Sequence, residues 1–336
     1  MKHTKIAFFE VSSEDREYIE KSHAEKGILL FDEPLTAESA PKAKDCEIIS
    51  VFIYSKVDAA VLEALPHAKL IATRSTGFDH IDKAACAAKG VQVSNVPYYG
   101  ENTVAEHTFA LILALSRNVH KSYIRTLRNN FSIEGLKGFD LKGKTIGVIG
   151  TGRIGMHVIR IAKGFGMHVL AFDTRQDVFL SEILHFSYAD MDELLAQSDI
   201  ISLHLPYCES THHIINEDAI QKMKPGVLLI NTSRGGLVDN NALIQALDQK
   251  IIAGAGLDVL EGEELIREEK QLLHHAEKSS SKLEELLKNH LLLSQDNVVF
   301  TPHIAFYSQE ALERILDSTM ASIESFENGN LLNEVK

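Results

Sequence analysis

Short apolar runs rich in β-branched residues recur through the first third of the chain: KIAFF, EIISVFIY, KLIATRS and VQVSN, separated by segments such as AAVLEALPH and DKAACAAKG. Such runs between helix-length stretches predict strands alternating with helices, the rhythm of a parallel αβ sheet. In ENTVAEHTFALILALSRNVH, Glu101 and Asn102 are placed to cap a helix start, and apolar residues occupy nearly every face from Val104 to Leu115. A helix apolar all round is a buried one. It is expected either to thread between two domains or to pack against a second subunit, and the second option makes a homodimer the expectation. KSYIRTLRNNFSIEGLKGFDLKGK reads as a long polar connection, after which the alternation restarts in KTIGVIG, HVLAFD, DIISLHLP, VLLINTS, AGAGLDV and NVVFTPH. A second αβ unit therefore follows the first.

Between Glu261 and Gln295 a charged, Leu-rich insertion has apolar spacing near three and four residues, which predicts helices decorating the fold with a solvated face. SQEALERILDSTMASIESF predicts a last amphipathic helix.

Length and composition leave this picture standing and narrow its function. At 336 residues, 45% hydrophobic and 24% charged, the chain has the size of two ordinary globular domains. A formal net charge of -13 offers no basic stripe for a phosphate backbone, so nucleic acid is not the expected partner. No stretch approaches the roughly 20 apolar residues of a membrane span, and the opening MKHTKIAFFE lacks an export pattern. Three cysteines, Cys46, Cys86 and Cys208, lack CxxC spacing, so neither a disulfide framework nor a zinc site is indicated and no metal is expected. All three are expected to be reduced, semi-buried packing residues of a cytoplasmic protein.

The strongest chemical signal is GxGxxG at Gly150, Gly152 and Gly155, directly after an apolar strand and before a helix, with Asp173 at the end of the next strand. The first glycine permits a tight turn, the second lets a pyrophosphate approach the backbone, and the third lets the helix pack close to the strand. The pyrophosphate then meets N–H groups at the positive end of a helix beginning near Arg153 and Ile154. Asp173 can accept hydrogen bonds from ribose hydroxyls and repels a 2′-phosphate, which selects NAD over NADP, although Arg175 nearby pulls the other way.

Three later strands end in polar segments, NTSRGGLVD, GLDVLEGEE and TPHIAFYS, supplying Arg234, Glu263 and His303. A 2-oxo acid accepting hydride needs a cation to hold its carboxylate and polarise its carbonyl, which a guanidinium fork does better than an ammonium. Its oxygen then needs a proton, which an imidazolium gives at neutral pH. A carboxylate beside that imidazole favours the charged form and fixes the ring. Arg234, His303 and Glu263 fit these roles, yet taken singly an arginine after a strand also caps helices and a histidine after proline also fills turns.

Together with RSTGFDHID, NVPYYGENTVAEHTFALIL, GVIGTGRIG and DIISLHLP, these segments run in an order that resembles the D-isomer-specific 2-hydroxyacid dehydrogenases, and within them the D-lactate dehydrogenase branch, over nearly the whole chain. The resemblance implies that Arg234, Glu263 and His303 match the family's catalytic residues. It implies that the backbone of Thr76 and Gly77 receives the substrate carboxylate, with Phe52, Tyr99 and Phe306 beside it. For NAD it points to Gly150, Gly152, Arg153, Ile154, Gly155 and Asp173, and further to Leu205, Pro206, Thr211, Thr232, Ser233 and Asp258, with Val104 near the nicotinamide.

The family's architecture implies two α/β domains of Rossmann-like form with parallel sheets. A flavodoxin-like substrate domain takes residues 1–101 and 302–336, and an NAD-binding domain spanning 102–301 is inserted into it, with hinges near Glu101 and Thr301. The implied reaction is reversible reduction of a small 2-oxo acid to the D-2-hydroxy acid, pyruvate to D-lactate first. Where the lactate branch usually has tyrosine this chain has Phe306, and Phe9 or Glu10 stands where an arginine often follows the first strand. Loss of a phenol makes the pocket more apolar and eases entry of larger 2-oxo acids. Glyoxylate, branched or aromatic 2-oxo acids are the alternative substrates, and an NAD-sensing, corepressor-like binding protein is the alternative of another class.

Overall fold

The computed structural model describes residues 5–23, 26–263 and 280–335. It divides the chain into two compact units, one made of residues 1–99 with 308–336 and the other of residues 100–307. Each is built on a sheet whose strands are all parallel.

In the first unit the strands are β1 (Ile6–Phe8), β2 (Leu29–Leu30), β3 (Ile48–Val51), β4 (Leu70–Thr73) and β5 (Gln92–Ser94), in the order β2-β1-β3-β4-β5. That is the flavodoxin-like order. The helices between them are α1 (Ser13–Ser22), α2 (Ala59–Glu63) and α3 (Lys83–Ala88), and each begins on a side-chain cap: Ser12, Asp58 and Asp82. For α1, Ser12 and Asp15 make a reciprocal capping box, a device of about 1 kcal/mol.

Buried on both faces, the inner strands β1, β3 and β4 alternate their side chains between two cores, as parallel sheets require. Ile49, Val51, Ile71 and Val93 enter one core with Val61, Leu62 and Cys86. Ile6, Phe8, Ile48, Leu70 and Ala72 enter the other, whose cover is Leu316, Met320 and Ile323 of the last helix. The chain's end also closes an edge: Ser94 bridges Glu334 in antiparallel fashion, and the Val335 amide donates to the Val93 carbonyl.

The second unit opens with α4 (Glu101–Ser116) and α5 (Val119–Leu127). Seven strands follow: β6 (Thr145–Ile149), β7 (His168–Phe172), β8 (Ser187–Tyr188), β9 (Ile200–Leu203), β10 (Val227–Asn231), β11 (Ile252–Leu257) and β12 (Val298–Phe300). Their helices are α6 (Arg153–Gly164), α7 (Val178–Leu184), α8 (Met191–Gln197), α9 (Glu217–Gln221), α10 (Asn240–Asp248) and α11 (Ser280–Leu293); α12 (Gln309–Glu327) returns to the first unit. The order β12-β11-β10-β9-β6-β7-β8 is the doubly wound dinucleotide-binding order with one strand added. Its topological switch lies between β6 and β9, the place where such sheets hold ligands at their carboxyl ends.

Three expectations change, and that of a helical insertion holds over its described part. Glu101 and Asn102 do not cap α4; Gly100 is the N-cap, without a side-chain bond, and Glu101 sits in the first turn 3.7 Å from Arg153. The apolar faces of α4 are buried within the second unit itself, against α6, β10 and β11, with Ala105, Phe109, Leu111, Ile112 and Leu115 in its core. Neither a second domain nor a second subunit is needed to bury them. Part of the stretch read as a connection is α5, whose periodic Tyr123, Ile124 and Leu127 were masked by intervening basic residues. The Leu-rich insertion yields α11 over its last part, and residues 264–279 lie outside the described residues.

Candidate active site

The glycine-rich turn joins β6 to α6. Gly150 has φ +98, and a Cβ on it would stand 2.3 Å from the His204 carbonyl oxygen, so β6 and β9 approach here as only glycine allows. A Cβ on Gly155 would stand 2.0 Å from the Gly150 carbonyl oxygen, which locks the first turn of α6 against the loop. Gly152 meets nothing within 4 Å, so its backbone faces open space at the N-terminus of a twelve-residue helix. A pyrophosphate fits such a position: the first amides of a helix, its positive end, and no neighbour within 4 Å of where a Gly152 side chain would begin. Arg153 and Ile154 are the first helical residues, as anticipated.

Asp173 follows β7 and is tied to this loop. Its Oδ2 accepts the Thr151 amide at 2.7 Å and the Thr151 hydroxyl at 3.1 Å, and its Oδ1 accepts the Arg175 amide at 2.9 Å. Partial burial works to raise its pKa, but these hydrogen bonds outweigh it and hold the carboxyl below its ordinary value. The carboxylate is therefore ionised at neutral pH and fixed in place. Arg175, read as a counterweight, contributes its backbone amide here.

The loop after β9 carries Leu205, Pro206 and Thr211. Leu205 packs toward Gly150, and the Thr211 hydroxyl donates to the Pro206 carbonyl at 2.7 Å, closing the turn. His204 at the head of this loop bonds Ser202 through Nε2 at 2.8 Å, while its Nδ1 is buried and finds no partner among the described residues. Burial pushes its pKa down to about 3, so the ring is neutral at physiological pH.

Thr232 and Ser233 follow β10. Thr232 is buried and its hydroxyl lies 2.9 Å from that of Thr108 on α4, one turn beyond Val104, whose carbonyl accepts from Thr108 at 2.8 Å. Ser233 donates to the Leu203 carbonyl at 2.6 Å. Arg234 is half-buried at the start of a short turn; its Nη1 donates to the Ser233 carbonyl at 2.7 Å, and its own carbonyl accepts from Asn231 at 2.9 Å.

His303 and Glu263 meet directly: Nδ1 lies 3.0 Å from Oε1. The pair sits beyond the carboxyl ends of β12 and β11, with both side chains about three-quarters buried. His303 has φ +56, uncommon for a residue with a side chain. Asp258, wholly buried at the end of β11, supports this conformation. Its carbonyl accepts the His303 amide at 2.9 Å, and its carboxylate accepts the Thr301 hydroxyl and the amides of Ile304 and Ala305. The Asp258 oxygens thus brace the loop that presents His303. The Phe306 ring is buried and stands edge-on to the imidazole, with centroids 6.5 Å apart.

The substrate-side residues taken from the resemblance lie in the first unit, apart from Phe306. Thr76 is exposed and its hydroxyl donates to the Val96 carbonyl at 2.8 Å; among the described residues, no acceptor meets the amides of Thr76 and Gly77. Phe52 is half-buried beneath Arg74, whose guanidinium stands 5.6 Å from the ring centre. Arg74 is buried and bound to Ser50 and to the carbonyls of Phe9 and Glu10, and burial lowers its pKa. Glu10, unremarked beyond being a substitution for arginine, has φ +56 and accepts from the Phe52 and Tyr54 amides and the Ser55 hydroxyl, so it organises the turn that carries Phe52. Tyr99 is half-buried, and its carbonyl accepts from Arg314 at 2.6 Å.

The cysteines divide. Cys46 and Cys86 are buried, and burial raises both thiols, Cys86 up to about 11. Cys208 is exposed, contrary to expectation, because the turn after β9 lies at the surface; bonds to Ser210 and Thr211 pull its thiol down to about 7. Alkylation of the native protein by iodoacetamide is expected to modify Cys208 alone, with a rate that rises as pH passes about 7. A midpoint near the ordinary 9.0, read by mass spectrometry of the quenched time course, would contradict that environment.

Comparison with known proteins places this geometry. Residues 109–305 match the family profile described as "D-isomer specific 2-hydroxyacid dehydrogenase, NAD binding domain". The chain is 39% identical over 329 residues to a D-lactate dehydrogenase of Escherichia coli K12, covering 97% of each. It is 36% identical over 314 residues to an aromatic 2-oxoacid reductase of Clostridium sporogenes, covering 91% of this chain and 85% of that one. A solved D-lactate dehydrogenase from Aquifex aeolicus, complexed with NAD and lactic acid, superposes with TM-score 0.84 at 40% identity, covering 97% of this chain and 96% of that one. With an NAD-binding unit and relatives at this identity over nearly its full length, the chain belongs to the D-isomer-specific 2-hydroxyacid dehydrogenases and is an NAD-dependent oxidoreductase.

Proposed function

We propose that the protein reduces pyruvate to D-lactate with NADH, reversibly, using Arg234, His303 and Glu263. The 3.0 Å contact between His303 Nδ1 and Glu263 Oε1 carries this reading. It commits Nδ1 to the carboxylate and leaves Nε2 as the ring atom that gives a proton to the substrate oxygen during reduction and takes it back during oxidation. NADH, when bound, supplies the hydride. Arg234 holds the substrate carboxylate and polarises the carbonyl, and the unmet amides of Thr76 and Gly77 are further receivers for that carboxylate. Gly150, Gly152, Arg153, Ile154, Gly155 and Asp173 hold pyrophosphate and adenine ribose, while Leu205, Pro206, Thr211, Thr232, Ser233, Asp258 and Val104 line the remainder of the cofactor site.

The substrate domain is proposed to be the first unit, with Phe52 and Tyr99 facing the substrate. Phe306, apolar and edge-on to His303, favours a second reading in which a branched or aromatic 2-oxo acid is preferred; the relative named for aromatic 2-oxoacids gives it support. A panel of pyruvate, glyoxylate, branched and aromatic 2-oxo acids, compared by kcat/KM with NADH and NADPH, separates these. Pyruvate with NADH is expected to rank first. Preference for an aromatic acid would replace pyruvate, and preference for NADPH would remove the role given to Asp173.

The protein is also proposed to be a cytoplasmic homodimer. Tyr123, Leu127, Phe131 and Ile133 are 64, 66, 76 and 86% exposed on and after α5, an apolar surface that a second copy would cover. A solution mass of one chain by light scattering would overturn the dimer. No helix among the described residues is long and apolar enough to cross a membrane.

A further inference from the structure

The loop after β9 and the turn after β11 bring together two imidazoles and a carboxylate that the reaction does not use. His212 and His213 stack with ring centroids 3.8 Å apart and planes inclined by 27°. His213 Nε2 lies 3.0 and 2.9 Å from the two oxygens of Glu261, which is 48 positions away in the chain. His212 Nδ1 lies 3.2 Å from the Tyr207 hydroxyl. One ligand atom from each of His212, His213 and Glu261 falls within 4.8 Å of the others.

We propose that His212, His213 and Glu261 form a binding site for a divalent transition-metal ion of the zinc, cobalt or nickel type. Two neutral nitrogens and one carboxylate oxygen make a donor set of borderline softness, suited to these ions and poor for magnesium or calcium, which take oxygen ligands. Bond lengths of about 2.0–2.2 Å at a tetrahedral ion put neighbouring donor atoms about 3.3 Å apart. The His213 to Glu261 separation is already close to that. His212 is exposed, so rotation of its side chain closes the rest.

The scaffold is fixed before any ion arrives. His213 has φ +48, its amide donates to the Gly236 carbonyl at 2.9 Å, and the His212 amide donates to the Cys208 carbonyl at 2.9 Å. The Glu261 carbonyl accepts from Asn240 and Asn289 at 3.3 and 3.1 Å. A Cβ on Gly235 would stand 2.3 Å from the Glu261 amide nitrogen, so the turn after Arg234 is wedged against this segment. An ion pair between His213 and Glu261 alone accounts for one imidazole; it leaves unexplained why a second is stacked against the first. The absence of CxxC spacing bears only on thiolate sites.

Three protein ligands leave at least one coordination position for water or an added ligand. An ion here ties the loop after β9 to the turn after β11, on either side of the turn that follows Arg234.

The test uses the full chain, treated with chelator, desalted and titrated with cobalt(II) by visible absorption and with zinc(II) by calorimetry. One tight site per chain is expected, and His212→Ala and Glu261→Gln are each expected to weaken it at least ~10-fold, since losing even a supporting contact to a ligand costs about that much. Cys208→Ser is expected to leave it intact, which separates the site from the nearby thiol. Native circular dichroism of each variant guards against unfolding. No uptake by the wild type, uptake unchanged in both His212→Ala and Glu261→Gln, or loss on Cys208→Ser would each overturn the proposal.

Discussion

Replacing His303 with alanine is expected to lower kcat for 2-oxo acid reduction by about 10²–10⁴-fold, the usual contribution of a positioned general acid. NADH binding, followed by fluorescence titration, should stay within a few-fold of wild type, because the glycine turn and Asp173 follow strands β6 and β7, in the other half of the sheet. Glu263→Gln provides the graded companion. It retains a group that can reach His303 Nδ1 but removes the negative charge, so kcat should fall less and the pH profile of kcat should change shape while KM for NADH holds. Turnover of the alanine variant equal to wild type would remove His303 from the reaction.

For Arg234→Lys, kcat/KM for the 2-oxo acid is expected to drop by about 10²–10³-fold, corresponding to roughly 2.7–4 kcal/mol at tenfold per 1.36 kcal/mol. That lies within the range for disrupting a hydrogen-bonded charge pair. The positive charge survives in this variant, so the loss isolates geometry: a planar fork that contacts two oxygens is replaced by a point charge on a flexible stem. The backbone around it is held independently, by Asn231 on the Arg234 carbonyl, so the substitution should leave the turn in place. Affinity for oxamate, an unreactive mimic of a 2-oxo acid, should fall in parallel, with NADH affinity unaffected. An effect confined to NADH would move Arg234 from the substrate to the cofactor.

The glycine turn could be read from sequence because its demands are local. Three glycines within six positions, a strand before and a helix after, each correspond to a contact over a few residues, such as Gly155 against Gly150. The long strands were equally readable, since runs such as VLLIN are buried on both faces. Strands β2 and β8 were not, because two residues carry no period. The direction in which α4 is buried was also hidden: a helix apolar on every side points nowhere in particular, and only the sheet beside it decides. Glu10 and Asp258 show a deeper limit. Both are carboxylates spent on backbone amides roughly 45 positions away, and nothing near either residue in the chain announces the partner.

The return of α12 to the first sheet has a consequence for how the chain comes off the ribosome. Residues 100–307 form their unit from one continuous stretch and are complete before the last helix is made. The strands synthesised first must wait: Ile6, Phe8, Ile48, Leu70 and Ala72 keep one apolar face uncovered until Leu316, Met320 and Ile323 emerge. Those strands are thus made before the second unit yet are covered after it, and throughout elongation they expose the surface that chaperones hold and aggregation exploits.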